Sequence, residues 1–103
     1  MISYDLDTRL LKTIEYCKIN KMNNNALQYY LFDSLNRYID YYKDNTKLID
    51  CIKCFNQNES YKSRFNQIIN TFNLKSIDEN VRLLLIKSIY IDDIQMKLFE
   101  KKN

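Results

Sequence analysis

The sequence predicts a single all-α domain, a compact bundle of five or six helices over residues 1–103. Three observations carry the prediction. Glycine and proline are absent, and tight hairpin turns need positive φ, usually from glycine, so a multi-stranded β domain is disfavoured. Apolar side chains recur at spacings of three and four along most of the chain, the period of a helix with one buried face. The interruptions are short runs of Asn, Asp and Ser, and short loops favour antiparallel helical neighbours. A length of 103 residues suits one domain, burying roughly 60–70% of its unfolded surface. An apolar fraction of 46% excludes global disorder.

The first helix is expected from about Asp5 to Met22. Leu6, Leu10, Ile14 and Cys17 form its stripe, and Leu11 widens it. Asn23-Asn24-Asn25 is a turn, with Asn25 as N-cap of the second helix. That helix runs from Ala26 to about Lys43. Its stripe of Leu27, Tyr30, Leu31, Ser34, Leu35, Tyr38, Ile39 and Tyr42 is the strongest periodic signal in the chain. Asp44-Asn45-Thr46 ends it, and Thr46 caps a short third helix carrying Leu48, Ile49, Ile52 and Phe55. The next break is Asn56–Ser60, with Ser60 capping a fourth helix. Tyr61, Phe65, Ile68, Ile69 and Phe72 line that helix, and Asn73 closes it. Ser76-Ile77-Asp78-Glu79 reads as a capping box. The fifth helix carries Ile77, Val81, Leu84, Leu85 and Ser88. The last segment is open to two readings. Tyr90, Ile91, Ile94, Leu98 and Phe99 fit a helix to about Lys101, continuous or kinked near 90–93, and residues 88–91 also fit a strand.

Chemistry is bounded mainly by what is missing. Without histidine there is no Ser/His/Asp or Cys/His arrangement. Without glycine there is no phosphate-cradling loop. Cys51-Ile52-Lys53-Cys54 is a C-x-x-C, but Cys17 is the one further thiol and a structural zinc site needs four ligands. The two thiols are therefore expected to lie near an apolar face as small hydrophobes. Asp92 and Asp93 are adjacent and diverge on a helix, so they form no acid/base couple, and Asp92 is expected to cap or to pair with a basic neighbour. These absences point to a non-enzyme with no cofactor, no metal and no small-molecule substrate.

Net charge is +3 with the signs interspersed, which argues against a nucleic-acid footprint. The start of the chain lacks a basic-then-apolar leader, and three cysteines without such a leader suit a reducing, cytoplasmic setting. The longest apolar run, Leu83–Ile86, ends at Lys87, so no membrane span is expected. Ile, Lys, Asn and Tyr make up nearly half the chain, the signature of an AT-rich genome. Nine tyrosines are many for this length, and tyrosine is enriched at protein interfaces. Tyr29 and Tyr41 fall off the second helix's apolar stripe, so they are the leading candidates for a protein interface, with Tyr90 third.

The stretch from Leu84 to Lys101 resembles the last helices of the poxvirus Bcl-2-like virulence factors. Tyr90, Asp92, Asp93, Leu98, Phe99 and Lys101 match an ending of aromatic-apolar-Asp-Asp-apolar, then Leu-aromatic and a charged tail. The resemblance covers about a fifth of the chain. It implies a trimmed Bcl-2-like fold, since that fold uses seven or eight helices. The Asn-Trp-Gly-Arg signature of cellular relatives has no counterpart, as Gly and Trp do not occur. What the resemblance implies about function is a non-catalytic viral decoy in the host cytoplasm. Such a decoy binds a host protein of innate immune signalling or apoptosis, and homodimers occur among its relatives. Three alternatives stay open at this level: a bacterial or phage inhibitor such as an immunity or anti-defence protein, a death-fold domain, and a small nucleic-acid-binding regulator.

Overall fold

The computed structural model describes residues 5–101, with side chains up to residue 98. The described residues form five helices and no strand: α1 (Leu6–Ile19), α2 (Asn24–Tyr42), α3 (Leu48–Gln57), α4 (Glu59–Thr71) and α5 (Glu79–Lys101). The final segment is thus one continuous helix, without the strand at 88–91 that the sequence left open.

Helix α5 is the axis of the bundle. Val81, Leu85, Ile86, Ser88, Ile89 and Ile91 are all buried on it. At 100° per residue these positions cover well over half of the helix circumference, and the remaining face, with Leu83, Lys87 and Tyr90, is half-buried. Helices α1, α2, α3 and α4 all pack against α5. Leu6, Leu10 and Ile14 of α1 and Leu31, Leu35, Tyr38 and Ile39 of α2 fill the core from one side. Tyr61 and Ile68 of α4 and Leu74 fill it from another. The radius of gyration, 13.7 Å, is close to the ~13 Å of a folded domain of this length.

Helix α1 pairs with α2 as an antiparallel hairpin, and α3 packs against α4. Arg9 and Thr13 meet Ser34 while Tyr16 meets Tyr30, which fixes α1 against α2. Phe55 meets Phe65 edge-on at 5.6 Å, which fixes α3 against α4. Turning the chain without glycine requires left-handed residues of other types. Lys21, Lys43 and Asn73 take φ of 52°, 51° and 55°. Asn73 closes α4 as its sequence implies. The two lysines carry strain of about 1–2 kcal/mol each that glycine would avoid.

The caps depart from expectation in several places. The α2 N-cap is Asn23, whose side chain accepts the Ala26 amide at 2.9 Å, so Asn25 lies inside the first turn. Helix α1 stops at Ile19, short of Met22, because Lys21 turns left-handed. Thr46 does not cap α3. Lys47 holds that position with no side-chain bond, and the Thr46 hydroxyl donates to the Tyr90 phenol at 3.4 Å. Asn58 alone separates α3 from α4 and caps α4, so Ser60 is inside the helix with its hydroxyl on Asn58. The Ser76 capping box does not form. Helix α5 begins three residues later, where the Asp78 carbonyl accepts the Arg82 amide at 2.9 Å. The cause is tertiary: the Asp78 amide is taken by Oε1 of buried Gln28 at 2.8 Å, which anchors the α4–α5 loop to α2.

Three apolar stripe positions are exposed, Leu11, Ile49 and Leu98. Leu11 points outward because α1 has no neighbour on that side, and Ile49 is 62% exposed on the open face of α3. Leu84 packs at the edge of the core rather than within it. The C-x-x-C thiols separate: Cys51 is buried and Cys54 exposed, so only one behaves as a core hydrophobe. No described helix is long and apolar enough to cross a membrane.

Candidate protein-binding face

The α1–α2 hairpin carries a concave feature on its outer side. A groove of about 370 Å³ runs between the two helices, lined by Asp5, Thr8, Arg9, Lys12, Thr13 and Tyr16 of α1 and its N-cap, and by Tyr30, Asp33, Ser34 and Arg37 of α2. The close approach of the helices at its floor follows from small polar residues. The Thr13 hydroxyl lies 2.9 Å from the Ser34 hydroxyl and from the Arg9 carbonyl. Arg9 Nε donates across to the Ser34 carbonyl at 2.8 Å. These bonds satisfy a floor that neither helix could bury against α5.

One end of the groove is aromatic. Tyr16 and Tyr30 touch with ring centroids 5.5 Å apart, and Tyr29 meets Tyr30 edge-on at 6.1 Å. Tyr29 is 72% exposed, Tyr16 50% and Ile19, one turn along α1, 79%. The Tyr30 phenol titrates above its ordinary value, first because Tyr16 lies beside it and then through burial, so it remains a hydroxyl at neutral pH. The other end is charged. Arg37 pairs with Asp33 at 3.0 Å, and Asp5 caps α1 by accepting the Thr8 hydroxyl at 2.9 Å.

A second polar cluster sits where α1, α2 and α4 meet the C-terminal half of α5. Arg64 reaches Asp7 at 3.1 Å and Asp92 at 3.3 Å, and Tyr38 donates to Asp92 at 3.2 Å. Next to it, Asp93 accepts Tyr61 at 2.6 Å and Lys97 at 3.0 Å. Burial raises Asp92 above the ordinary carboxylate range, against the opposing pull of Arg64. Burial also acts on Asp93, but hydrogen bonds from Tyr61 and Lys97 outweigh it and the carboxyl is lowered. Desolvation opposes the Arg64 charge, and its two carboxylates overcome that. Tyr38 and Tyr61 are pushed well up, chiefly by burial, so both stay protonated donors. Each ionisable group here is engaged by a neighbour, which is the pattern of a structural tie. Asp92 pairs with a basic partner, as its position in the sequence suggests.

Of the residues singled out by sequence, Tyr29 stands at the aromatic end of the groove. Tyr41 is 57% exposed and lies one turn beyond Arg37 on α2, against the edge of Tyr42. Tyr90 is elsewhere, half-buried on α5 and packed against the core. The hairpin therefore gathers two of the three. Tyr16 was missed by sequence reading. Its spacing of three from Ile19, on the face opposite Leu10 and Ile14, was the available signal.

Cys51 is raised to about 11, first by burial and against the influence of Lys87, and burial raises Cys17 too, so neither is a thiolate at neutral pH. No group of three or more His, Cys, Asp or Glu that could hold a metal occurs among the described residues.

No protein-family model, curated protein or solved structure matches this chain.

Proposed function

We propose that this chain is a non-catalytic binding module that holds another protein on the open α1–α2 face. One observation carries the reading: Tyr16, Tyr29 and Ile19 are half or more exposed beside a groove of about 370 Å³. Large apolar side chains clustered on a small surface mark interaction sites, and tyrosine supplies contact area at low entropic cost. Following the resemblance of residues 84–101, the partner is a host protein of innate immune signalling or apoptosis, which the module occupies and so blunts.

The test is affinity capture of tagged protein from animal-cell lysate, read by mass spectrometry, beside a Tyr16→Ala/Tyr29→Ala double variant. The variant keeps its helical signal, because both side chains lie outside the core. Recovery of a signalling or apoptotic protein by the parent and not the variant supports the proposal. Equal recovery by both moves the interface off this face. Capture of a bacterial toxin or defence component from bacterial lysate, with nothing from animal lysate, replaces the host-decoy reading with that of a bacterial or phage inhibitor.

A further inference from the structure

The α1–α2 groove also specifies the chemistry of its occupant. This inference rests on the protein-binding reading above. We infer that the groove takes a segment of a partner protein that sets a carboxylate against Lys12 and an apolar or aromatic side chain on the Tyr16–Tyr30 ledge.

The charges of the groove lead to this. Its lining holds three cations, Arg9, Lys12 and Arg37, and two carboxylates, Asp5 and Asp33. Both carboxylates are occupied within the fold, Asp33 by Arg37 and Asp5 by the capped turn at Thr8. Arg37 is thereby neutralised, and Arg9 directs its Nε to the Ser34 carbonyl. Lys12 is exposed and belongs to no ion pair among the described residues. A basic segment would have to compete with the Thr8 turn for Asp5 or with Arg37 for Asp33, whereas an acidic one finds Lys12 without breaking an existing bond.

The other occupants fit less well. A nucleic-acid strand is a polyanion and needs a track of cations, but Asp5 and Asp33 flank this one. A second copy seated about a two-fold axis places each surface patch on itself. Lys12 lies midway along the groove, so self-pairing brings like charges together. Lys12 and Tyr16 are one turn apart on α1, about 6 Å along the axis. The two partner side chains are therefore neighbours on one helical turn or alternate residues of an extended strand.

A phage-displayed library of random twelve-residue peptides, panned on the intact protein, tests this. The expected consensus pairs Asp or Glu with an apolar or aromatic residue two to four positions away. Lys12→Glu should weaken the selected peptides about fivefold, near 1 kcal/mol from one lost attraction and one gained repulsion. Peptides with Lys replacing the acidic residue should then prefer Lys12→Glu to the parent. Basic consensus peptides, no enrichment, or equal binding to Lys12→Glu would overturn the inference. Peptides that lose affinity with Tyr16→Ala but ignore Lys12→Glu overturn it while leaving the protein-binding face standing. Peptides indifferent to Tyr16→Ala and Tyr29→Ala as well overturn both.

Discussion

Removing Arg64 should destabilise the protein by about 2 kcal/mol at neutral pH, and the loss should shrink on acidification. The Arg64 side chain is 27% exposed, between Asp92 at 15% and Asp7 at 46%. Leaving a fully buried charge without its partner costs roughly 3–5 kcal/mol, and breaking an exposed pair roughly 0.2–1. The Asp92 limb falls between these, at about 1.5 kcal/mol after discounting for solvent, because Tyr38 still donates to the carboxylate. The half-exposed Asp7 limb adds about 0.5 kcal/mol. For a domain of this size the sum lowers Tm by about 8–12 °C.

The pH dependence follows from Asp92. Its carboxyl is raised in the fold, so the folded state holds that proton more tightly than the unfolded chain does. Ionised Asp92 therefore detracts from stability at neutral pH, and the penalty lifts as pH falls through its raised value. Arg64 reduces the penalty, so without Arg64 the carboxyl rises further. The gap between parent and Arg64→Ala should be widest near pH 7 and narrow progressively below Asp92's folded value. Urea melts of both proteins between pH 7 and pH 4 read the gap. Asp92→Asn in the Arg64→Ala background supplies a neutral acceptor for Tyr38 and should restore about 1 kcal/mol. A gap that stays constant with pH, together with no restoration by Asp92→Asn, would refute the reasoning.

Four further outcomes are expected. Leu35→Ala should cost about 2–5 kcal/mol and Leu11→Ala less than about 0.5, since Leu35 is 1% and Leu11 46% exposed; equal costs in chemical melts would contradict the orientation of α1 and α2. Gln28→Leu should cost about 1–3 kcal/mol by orphaning the Asp78 amide, and hydrogen exchange should show faster loss of protection at residues 78–82 than elsewhere. Tyr61→Phe should cost about 1 kcal/mol at neutral pH. The lowered Asp93 carboxyl gives stability that is present above the ordinary carboxylate value and lost as pH falls through the folded one, so the Tyr61→Phe deficit should fade at acid pH. Under native conditions a maleimide should modify Cys54 rapidly, and Cys17 and Cys51 only after unfolding, as peptide mapping by mass spectrometry would show.

What the sequence determined by itself was local. The period of three and four in α1 and α2 placed Leu10, Ile14, Leu31, Leu35 and Tyr38 inward, since one face of each helix meets the core and the other meets water. Composition determined the helical class, because a chain without glycine cannot easily make tight hairpins, and the polar breaks bounded the number of helices at five or six. Tyr29 and Tyr41 were legible as exposed because they stand off a clear stripe. Tertiary structure decided the rest. Periodicity fades in α5 because a helix buried over most of its circumference has little polar face to mark its orientation, so residues 88–91 also fitted a strand until four neighbouring helices packed around α5. The Ser76 box lost to a bond from Gln28, fifty residues away from the Asp78 amide it holds. The Arg64–Asp7–Asp92 tie and the α1–α2 groove join residues from separate helices, and no local spacing encodes which charges will meet.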